Sequence, residues 1–329
     1  MAEALRAQSA VPPDLARWSL HCFCPKASRN PKRIVELDNN GQLLFGAVGG
    51  KTQAEIEADG IPISESQVVL LETFGLVERR DNYITTRILV LLPEAISAIR
   101  HAAATAARHA VAGVSEAAED IVATLASRGL ESSAYAVVFG HALDGVLWDS
   151  LRQRGFLPEI ELTVAEPFWK GALWAVYPGR AGASGTNELS IGHNHLVMVW
   201  DDASAESLRD LASHPDSQTL LKSASRDTQR VSLASIFDDE FEIPVISKQD
   251  EIQSKSVDLA EQVAYVMPDG EGCRVLLADS GVVTSAEEAA VIVAHELIWE
   301  MAEMLEEADV VPFPVAGDPS HRVFVRVDH

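Results

Sequence analysis

Three cysteines in 329 residues, Cys22, Cys24 and Cys273, are too few and too unevenly placed for a disulfide framework, which points to a reducing compartment. No run reaches the roughly 18 apolar residues that a membrane span needs. The N-terminus MAEALRAQSAVPPD also lacks the basic start and apolar core of a signal peptide, so a cytoplasmic protein with no membrane partner is expected. Basic residues are scarce, 26 against 49 acidic, for a net charge of −23. The shortage is uneven. Residues 1–30 carry +2, residues 31–110 carry −2 and residues 111–329 carry −23. An acidic surface repels phosphate backbones, which leaves any nucleic-acid contact to the first hundred or so residues. Complete catalytic signatures are missing too. There is no serine nucleophile elbow and no dinucleotide fingerprint, and in FGAVGGKT Phe45 stands where a phosphate loop requires its first glycine. No cofactor follows from the sequence.

What is present is an ordinary globular composition, 47% apolar and 23% charged, with length for two cores. The expected fold is α+β or mixed α/β. Its parts are an N-terminal arm (1–35), a winged helix-turn-helix (36–95), a helical segment suited to dimerisation (96–156) and an acidic α/β domain with a mixed sheet (157–329).

The module lies at residues 42–92. Thr52-Gln-Ala-Glu55 and Ser64-Glu-Ser-Gln67 are both capping boxes, in which a hydroxyl satisfies an orphan amide and the side chain three residues on reaches back. The first helix is predicted over 53–58 and stops at Asp59-Gly60. The second buries Val68, Leu70, Leu71 and Phe74 and ends at Gly75. VERR and YITT flank Asp81-Asn82 as a hairpin.

The order of helix, short strand, two helices and hairpin, above all LLETFGLVERRDNYITT, resembles the winged helix domains of MarR- and ArsR-type transcription regulators. The resemblance covers about fifty residues. It implies a second helix in the major groove with Ser64, Ser66 and Gln67 facing bases, and Arg79, Arg80 and Arg87 near phosphate. The would-be recognition helix carries Glu65 and Glu72 and no basic residue before Arg79. Winged helices also dock proteins, so duplex DNA and a protein partner stand side by side as expected partners.

After Pro93 an alanine-rich stretch is predicted as two helices parted near Gly113-Val114-Ser115. Arg100-His101 and Arg108-His109 in it read as a solvated stripe. By analogy with the resembling regulators, this region forms a homodimer interface. The next helix, around AVVFGHALDGVLW, is apolar on every side and predicted buried. In an α-helix His141 and Asp144, at i and i+3, share a face, which makes them a structural pair or an acid/base site.

The C-terminal part alternates predicted strands (160–164, 172–177, 196–200, 242–246, 274–278 and 323–327) with helices (203–212, 250–263 and 285–307). A glycine-rich loop is expected at 178–190, with Arg180 in it. His193-Asn194-His195 enters a strand with both imidazoles on one side, the period-2 geometry of metal sites, although no third ligand stands at a recognisable spacing. His295-Glu296-Leu-Ile-Trp299 begins like the zinc-protease helix, with tryptophan where the second histidine belongs. On a helical wheel Glu296, Glu300, Glu303 and Glu307 gather opposite the apolar residues, and an acidic solvent face is expected. Phe168, Trp169, Trp174, Tyr177 and Trp200 suit an apolar pocket or a core.

Three functions fit. The first is a winged-helix regulator with a C-terminal domain that senses a small molecule or partner. The second is a protein-docking subunit of a larger intracellular assembly. The third is a hydrolase-like or metal-dependent enzyme built around His141, Asp144, His193 or His195.

Overall fold

The computed structural model describes residues 13–23, 31–157, 173–180, 183–201, 203–234, 240–279, 284–311, 314 and 320–328. The fold is mixed α+β, 57% helix and 18% strand, with three small sheets and long helices in the middle. The chain divides into two compact units, each drawn from separate segments: Met1–Ala98, Pro158–Gly179 and Arg274–Ile292 form one, and the remaining segments form the other. Among the described residues no helix is long and apolar enough to cross a membrane.

In the first unit a 3-10 turn (Leu15–Arg17) is capped by Asp14, whose carboxylate accepts from the Ala16 amide at 3.0 Å. β1 (Ser19–Phe23), α1 (Lys32–Val35) and α2 (Asn40–Gly46) follow. Gly41 lets the capped turn lie on α2, since a Cβ there would stand 2.1 Å from Asp14 Oδ1. β2 (Lys51–Thr52), α3 (Gln53–Ala58), α4 (Glu65–Thr73), β3 (Val77–Arg80) and β4 (Tyr83–Thr86) complete a winged helix. Both capping boxes form. The sheet runs β2-β4-β3, with Asp81 at φ 54 in the hairpin turn and Gly75 at φ 68 after α4. The core holds Leu43, Leu44, Ile56, Ile61, Val68, Leu71, Leu76 and Ile84. Of the predicted α4 residues Val68 and Leu71 are buried, whereas Leu70 and Phe74 are half-buried. β5 (Leu89–Val90) pairs in parallel with β6 (Leu173–Tyr177), which also pairs antiparallel with β1, and Val176 joins the same core.

The alanine-rich stretch is one helix, α5 (Pro93–Ser127), not the two expected. Gly113 does not break it. A Cβ there would stand 2.0 Å from the Gln262 side chain, so the glycine serves close packing rather than a turn. Ile99, Ala103, Ala107, Ala110, Val114, Ala117, Ile121 and Leu125 form its buried stripe. A 3-10 turn (Glu131–Ser133) leads into a π-helix (Ala136–Val146) that continues as α6 (Leu147–Gln153). The Leu147 amide bonds the Ala142 carbonyl, the i→i+5 pattern of a π-helix.

The second unit centres on a five-stranded mixed sheet ordered β7-β8-β11-β10-β9. Its strands are β7 (Gly185–Ile191), β8 (Asn194–Trp200), β9 (Arg230–Ala234), β10 (Glu240–Ser247) and β11 (Val323–Val327), with only β10 and β11 parallel. β7 takes up half of the expected loop 178–190, because Gly185–Ile191 finds partners along β8. Alternation sorts the two faces. Leu196, Met198, Val323 and Val325 meet α7 (Ala205–Ser213) and α8 (Pro215–Ser223). Val199 and Phe324, on the other face, meet the π-helix at Gly140, where a Cβ would lie 2.5 Å from Val199 Cγ2. α9 (Glu251–Val266) packs on the π-helix.

Residues 274–278, predicted as a strand, belong to α10 (Gly270–Ala278). The Asp269 carboxylate accepts from the Gly272 amide at 2.7 Å and starts the helix, and Arg274, Leu276, Leu277 and Ala278 are helix formers that continue it. α11 (Ala286–Glu307) and a 3-10 turn (Ser320–Arg322) complete the described elements. The predicted strand at 160–164 lies outside the described residues, as do Phe168 and Trp169.

Candidate functional site

The residues assigned to DNA contact sit on α4 and the wing, and several are already occupied. Ser64 accepts from the Gln67 amide at 3.3 Å, and Gln67 returns Oε1 to the Ser64 amide at 3.1 Å and donates Nε2 to Asn39 at 2.6 Å. Arg79 donates to Glu65 Oε1 at 2.7 Å and lies 3.9 Å from Glu72. The one cation closest to the helix face is thereby neutralised by that helix. Arg80 pairs with Glu78 at 2.7 Å but stays exposed, and Ser66 and Arg87 are exposed as well. Val69 on α4 is 48% exposed and Tyr83 on the wing 53%. Residues 40–92 carry seven acidic and four basic groups.

A second concentration of polar groups lies in the other unit, along the last four turns of α11. Glu296 is not on a solvent face: its side chain is 0% exposed. Arg100 Nε donates to Glu296 Oε2 at 3.0 Å, and Arg180 Nη1 lies 3.6 Å from the same oxygen. Arg180 also donates from Nη1 to Glu300 at 2.7 Å and from Nε to Glu303 at 2.9 Å. Burial opposes the Arg180 charge, but the hydrogen bonds and charges of Glu303 and Glu300 outweigh it and hold the guanidinium well above its ordinary pKa. Arg100, expected in a solvated stripe, is therefore an internal counter-ion.

His141 and Asp144 do not form the expected pair. A π-helix winds more widely than 3.6 residues per turn, so positions i and i+3 diverge instead of aligning. His141 is buried edge-on against Phe324, at 5.5 Å between ring centres, and its Nε2 has no hydrogen-bond partner among the described residues. Burial and the nearby Arg326 push its pKa down to about 4, against a hydrogen bond that the imidazole donates to Gln253. Asp144 instead accepts from Trp148 Nε1 at 3.0 Å and Thr186 Oγ1 at 2.8 Å. Burial raises its carboxyl above the usual range, against those hydrogen bonds and the proximity of His295. His295 in turn lies between Trp148 and Trp299, at 4.7 and 5.9 Å between ring centres.

The other candidates part as well. His193 is exposed in the turn after Gly192, because the β7–β8 hairpin turns there, so it is not the strand partner of His195. His195 on β8 contacts Ser190 at 2.8 Å and Asp328 at 3.0 Å. No group of three histidine, cysteine or carboxylate side chains is arranged for a metal among the described residues. Tyr177 stacks on His21 at 4.1 Å, while Trp200 covers Gly185.

No family model, curated protein or solved structure matches the chain.

The chemistry therefore rests on these groups alone. The Arg180 cluster joins two guanidinium groups to the carboxylates of Glu296, Glu300 and Glu303, an arrangement that clamps α11. The Asp144 and His295 neighbourhood holds an acid, an imidazole and the Thr186 hydroxyl that donates to Asp144. Ser184 accepts from Tyr135 at 2.9 Å, and its carbonyl accepts from Trp299 at 2.8 Å. Burial pushes the Tyr135 phenol up to about 12 and keeps it a donor. The buried Glu296 and Arg322 were missed from sequence. Their neighbours Arg180 and Asp201 lie more than a hundred residues away, and no local spacing signals them.

Proposed function

We propose that the chain is a docking component of a larger assembly, with the α4 and wing face of its winged helix as the protein-contact surface. The observation that carries this reading is the pairing of Arg79 with Glu65 and Glu72, which leaves α4 acidic around a half-exposed Val69. A helix aimed at the major groove works with positive charge and free donors at its N-terminal end. Here the Ser64 hydroxyl donates to Gln67 Oε1 and the Gln67 side-chain amide to Asn39. An exposed aliphatic and an exposed tyrosine between charges have the composition of a protein-interface centre.

The second reading, a duplex-binding regulator, is favoured by the exposed Arg80 and Arg87 of the wing region. One titration separates the two. A pool of labelled duplexes at about 50 mM salt is followed by anisotropy with the full chain and with Arg79→Ala/Arg80→Ala. The docking reading expects no saturable binding by either protein. A photo-cross-linking residue at position 69 then yields one discrete adduct in the native cell, lost when Glu65 and Glu72 are both changed to Lys. Salt-dependent duplex binding that collapses in the double-Ala protein overturns docking in favour of the regulator.

A further inference from the structure

Strand register sets three polar side chains in a row on one face of the five-stranded sheet. Ser190 of β7 stands directly opposite His195 of β8, and His195 directly opposite Arg326 of β11. Alternation sends Leu189, Ile191, Leu196 and Val325 to the other face, against α7 and α8. Asp328, two residues beyond Arg326, comes round to the face that holds His195.

The contacts along this row have a direction. Asp328 Oδ2 lies 3.0 Å from His195 Nε2, and the Ser190 hydroxyl lies 2.8 Å from His195 Nδ1. A neutral imidazole beside a carboxylate carries its proton on the nitrogen that faces it, here Nε2, which leaves Nδ1 as the acceptor for the Ser190 proton. Asp328 is itself fixed: its other oxygen accepts from Arg326 Nε at 3.2 Å, and its amide donates to the His193 carbonyl at 3.0 Å. Glu188 accepts from Arg326 Nη2 at 3.1 Å and stays 3.9 Å from Nδ1, beyond hydrogen-bond reach, so the hydroxyl keeps that nitrogen. Only 14% of the His195 side chain is exposed, whereas Ser190 opens to solvent, so the base is shielded and the hydroxyl is accessible.

We propose that Ser190 is a nucleophile that accepts acyl groups from small uncharged esters, with His195 as its general base and Asp328 as a positioning residue. A hydroxyl, a base within hydrogen-bond reach and a third group that orients the base are the parts serine acylation uses. Ser190 Oγ bonds the acyl carbon while its proton passes to His195 Nδ1. The bond from that carbon to the leaving alkoxide then breaks, and Nδ1 returns the proton to the departing oxygen. The products are acyl-Ser190 and a free alcohol. The substrate class follows from the surroundings. Glu188 and Asp328 outnumber Arg326, so an anionic donor is repelled. Leu189 and Ile191 pack on the opposite face, so the strand offers a long acyl chain no apolar wall.

The test incubates the full chain with p-nitrophenyl acetate and follows acetylation of each serine by peptide mass spectrometry. This phenolate departs unprotonated, and solvent takes the Nδ1 proton. General-base assistance contributes about 10²–10⁴-fold, so Ser190 is expected to acetylate at least about a hundredfold faster than Ser132, an exposed serine of the same chain. His195→Gln is expected to erase that advantage. Asp328→Asn places a donor at Nε2, moves the imidazole proton to Nδ1 and slows Ser190 at least about tenfold. Nitrogen-15 spectra at pH 8 report the change of tautomer, which a loss of packing alone would not produce. Circular dichroism checks the fold of both variants, and the comparison of Ser190 with Ser132 needs neither. Equal rates at the two serines, or an undiminished rate in folded His195→Gln, overturn the nucleophile and leave a solvated cross-strand network. An unchanged tautomer in Asp328→Asn overturns the positioning role.

Discussion

Replacing Glu296 with Gln removes one charge from a side chain that is 0% exposed and leaves its shape nearly unchanged. Two guanidinium groups then lose part of their compensation: Arg100 at 3.0 Å and Arg180 at 3.6 Å. Breaking a buried ion pair from one side costs about 3–5 kcal/mol, because the remaining charge stays desolvated. Here two factors reduce the cost. Arg180 keeps Glu300 and Glu303, and the Arg100 side chain is 25% exposed and can rehydrate. The lower end, about 3 kcal/mol, is therefore expected. For 329 residues, at about 2.1 cal/mol/K of unfolding entropy per residue, that corresponds to a drop of roughly 4 °C in the melting midpoint. Urea unfolding followed by tryptophan fluorescence measures it, since Trp148 and Trp299 flank the neighbouring His295. Glu296→Gln, Arg100→Met and the double variant form a cycle, and a coupling of at least about 1 kcal/mol is expected between residues in direct contact. A loss below about 0.5 kcal/mol with no coupling would mean that Glu296 is hydrated, and the reasoning would fail.

Two further outcomes follow from the π-helix. Gly140→Ala places a Cβ 2.5 Å from Val199 Cγ2 and 3.3 Å from the Phe324 ring; overpacking of about 1–3 kcal/mol exceeds the helix-propensity gain of about 1 kcal/mol, so the urea midpoint falls, whereas a rise would refute the close approach. His141, held at about 4 when folded against an ordinary value near 6.5, refuses a proton that the unfolded chain accepts between those limits. Its contribution is therefore complete above about pH 6.5 and is lost as pH falls toward 4, roughly 2 kcal/mol by pH 5. Arg326 faces it with like charge and Asp250 and Asp328 with opposite charge, so His141→Gln isolates the imidazole: urea midpoints at pH 7 and pH 5 should draw together in the variant and stay apart in the parent.

The winged helix was readable because its determinants are local. Thr52 with Glu55 and Ser64 with Gln67 signal helix starts within four residues, and both boxes form where expected. The strand β11 was equally legible, since VFVRV combines β-branched residues with a period of two and spans 323–327 as predicted. RVLLA at 274–278 shares only Val275 and an arginine with that pattern; its Leu, Ala and Arg favour helix, and Asp269 caps the helix that runs through it. Composition and the upstream cap both point to a helix there. At Gly113 a local breaker signal lost to tertiary packing, because the missing Cβ makes room for Gln262 from α9.

The polar interior was hidden for two different physical reasons. Wheel reasoning at 100° per residue assumes α-helical winding, and the π-helix breaks that assumption between Ala136 and Val146, sending Asp144 to Trp148 and Thr186 and His141 to Phe324. On α11 the winding is regular and the wheel correctly puts Glu296, Glu300 and Glu303 together. What it cannot supply is the covering group. Arg180 arrives from the segment before β7, more than a hundred residues away in sequence, and Arg100 from α5. An acidic face is hydrated unless something cationic lies on it, and only the fold decides which. The same long-range logic turns Arg79 inward onto α4, where the pairing with Glu65 and Glu72 removes the charge that a phosphate contact would need.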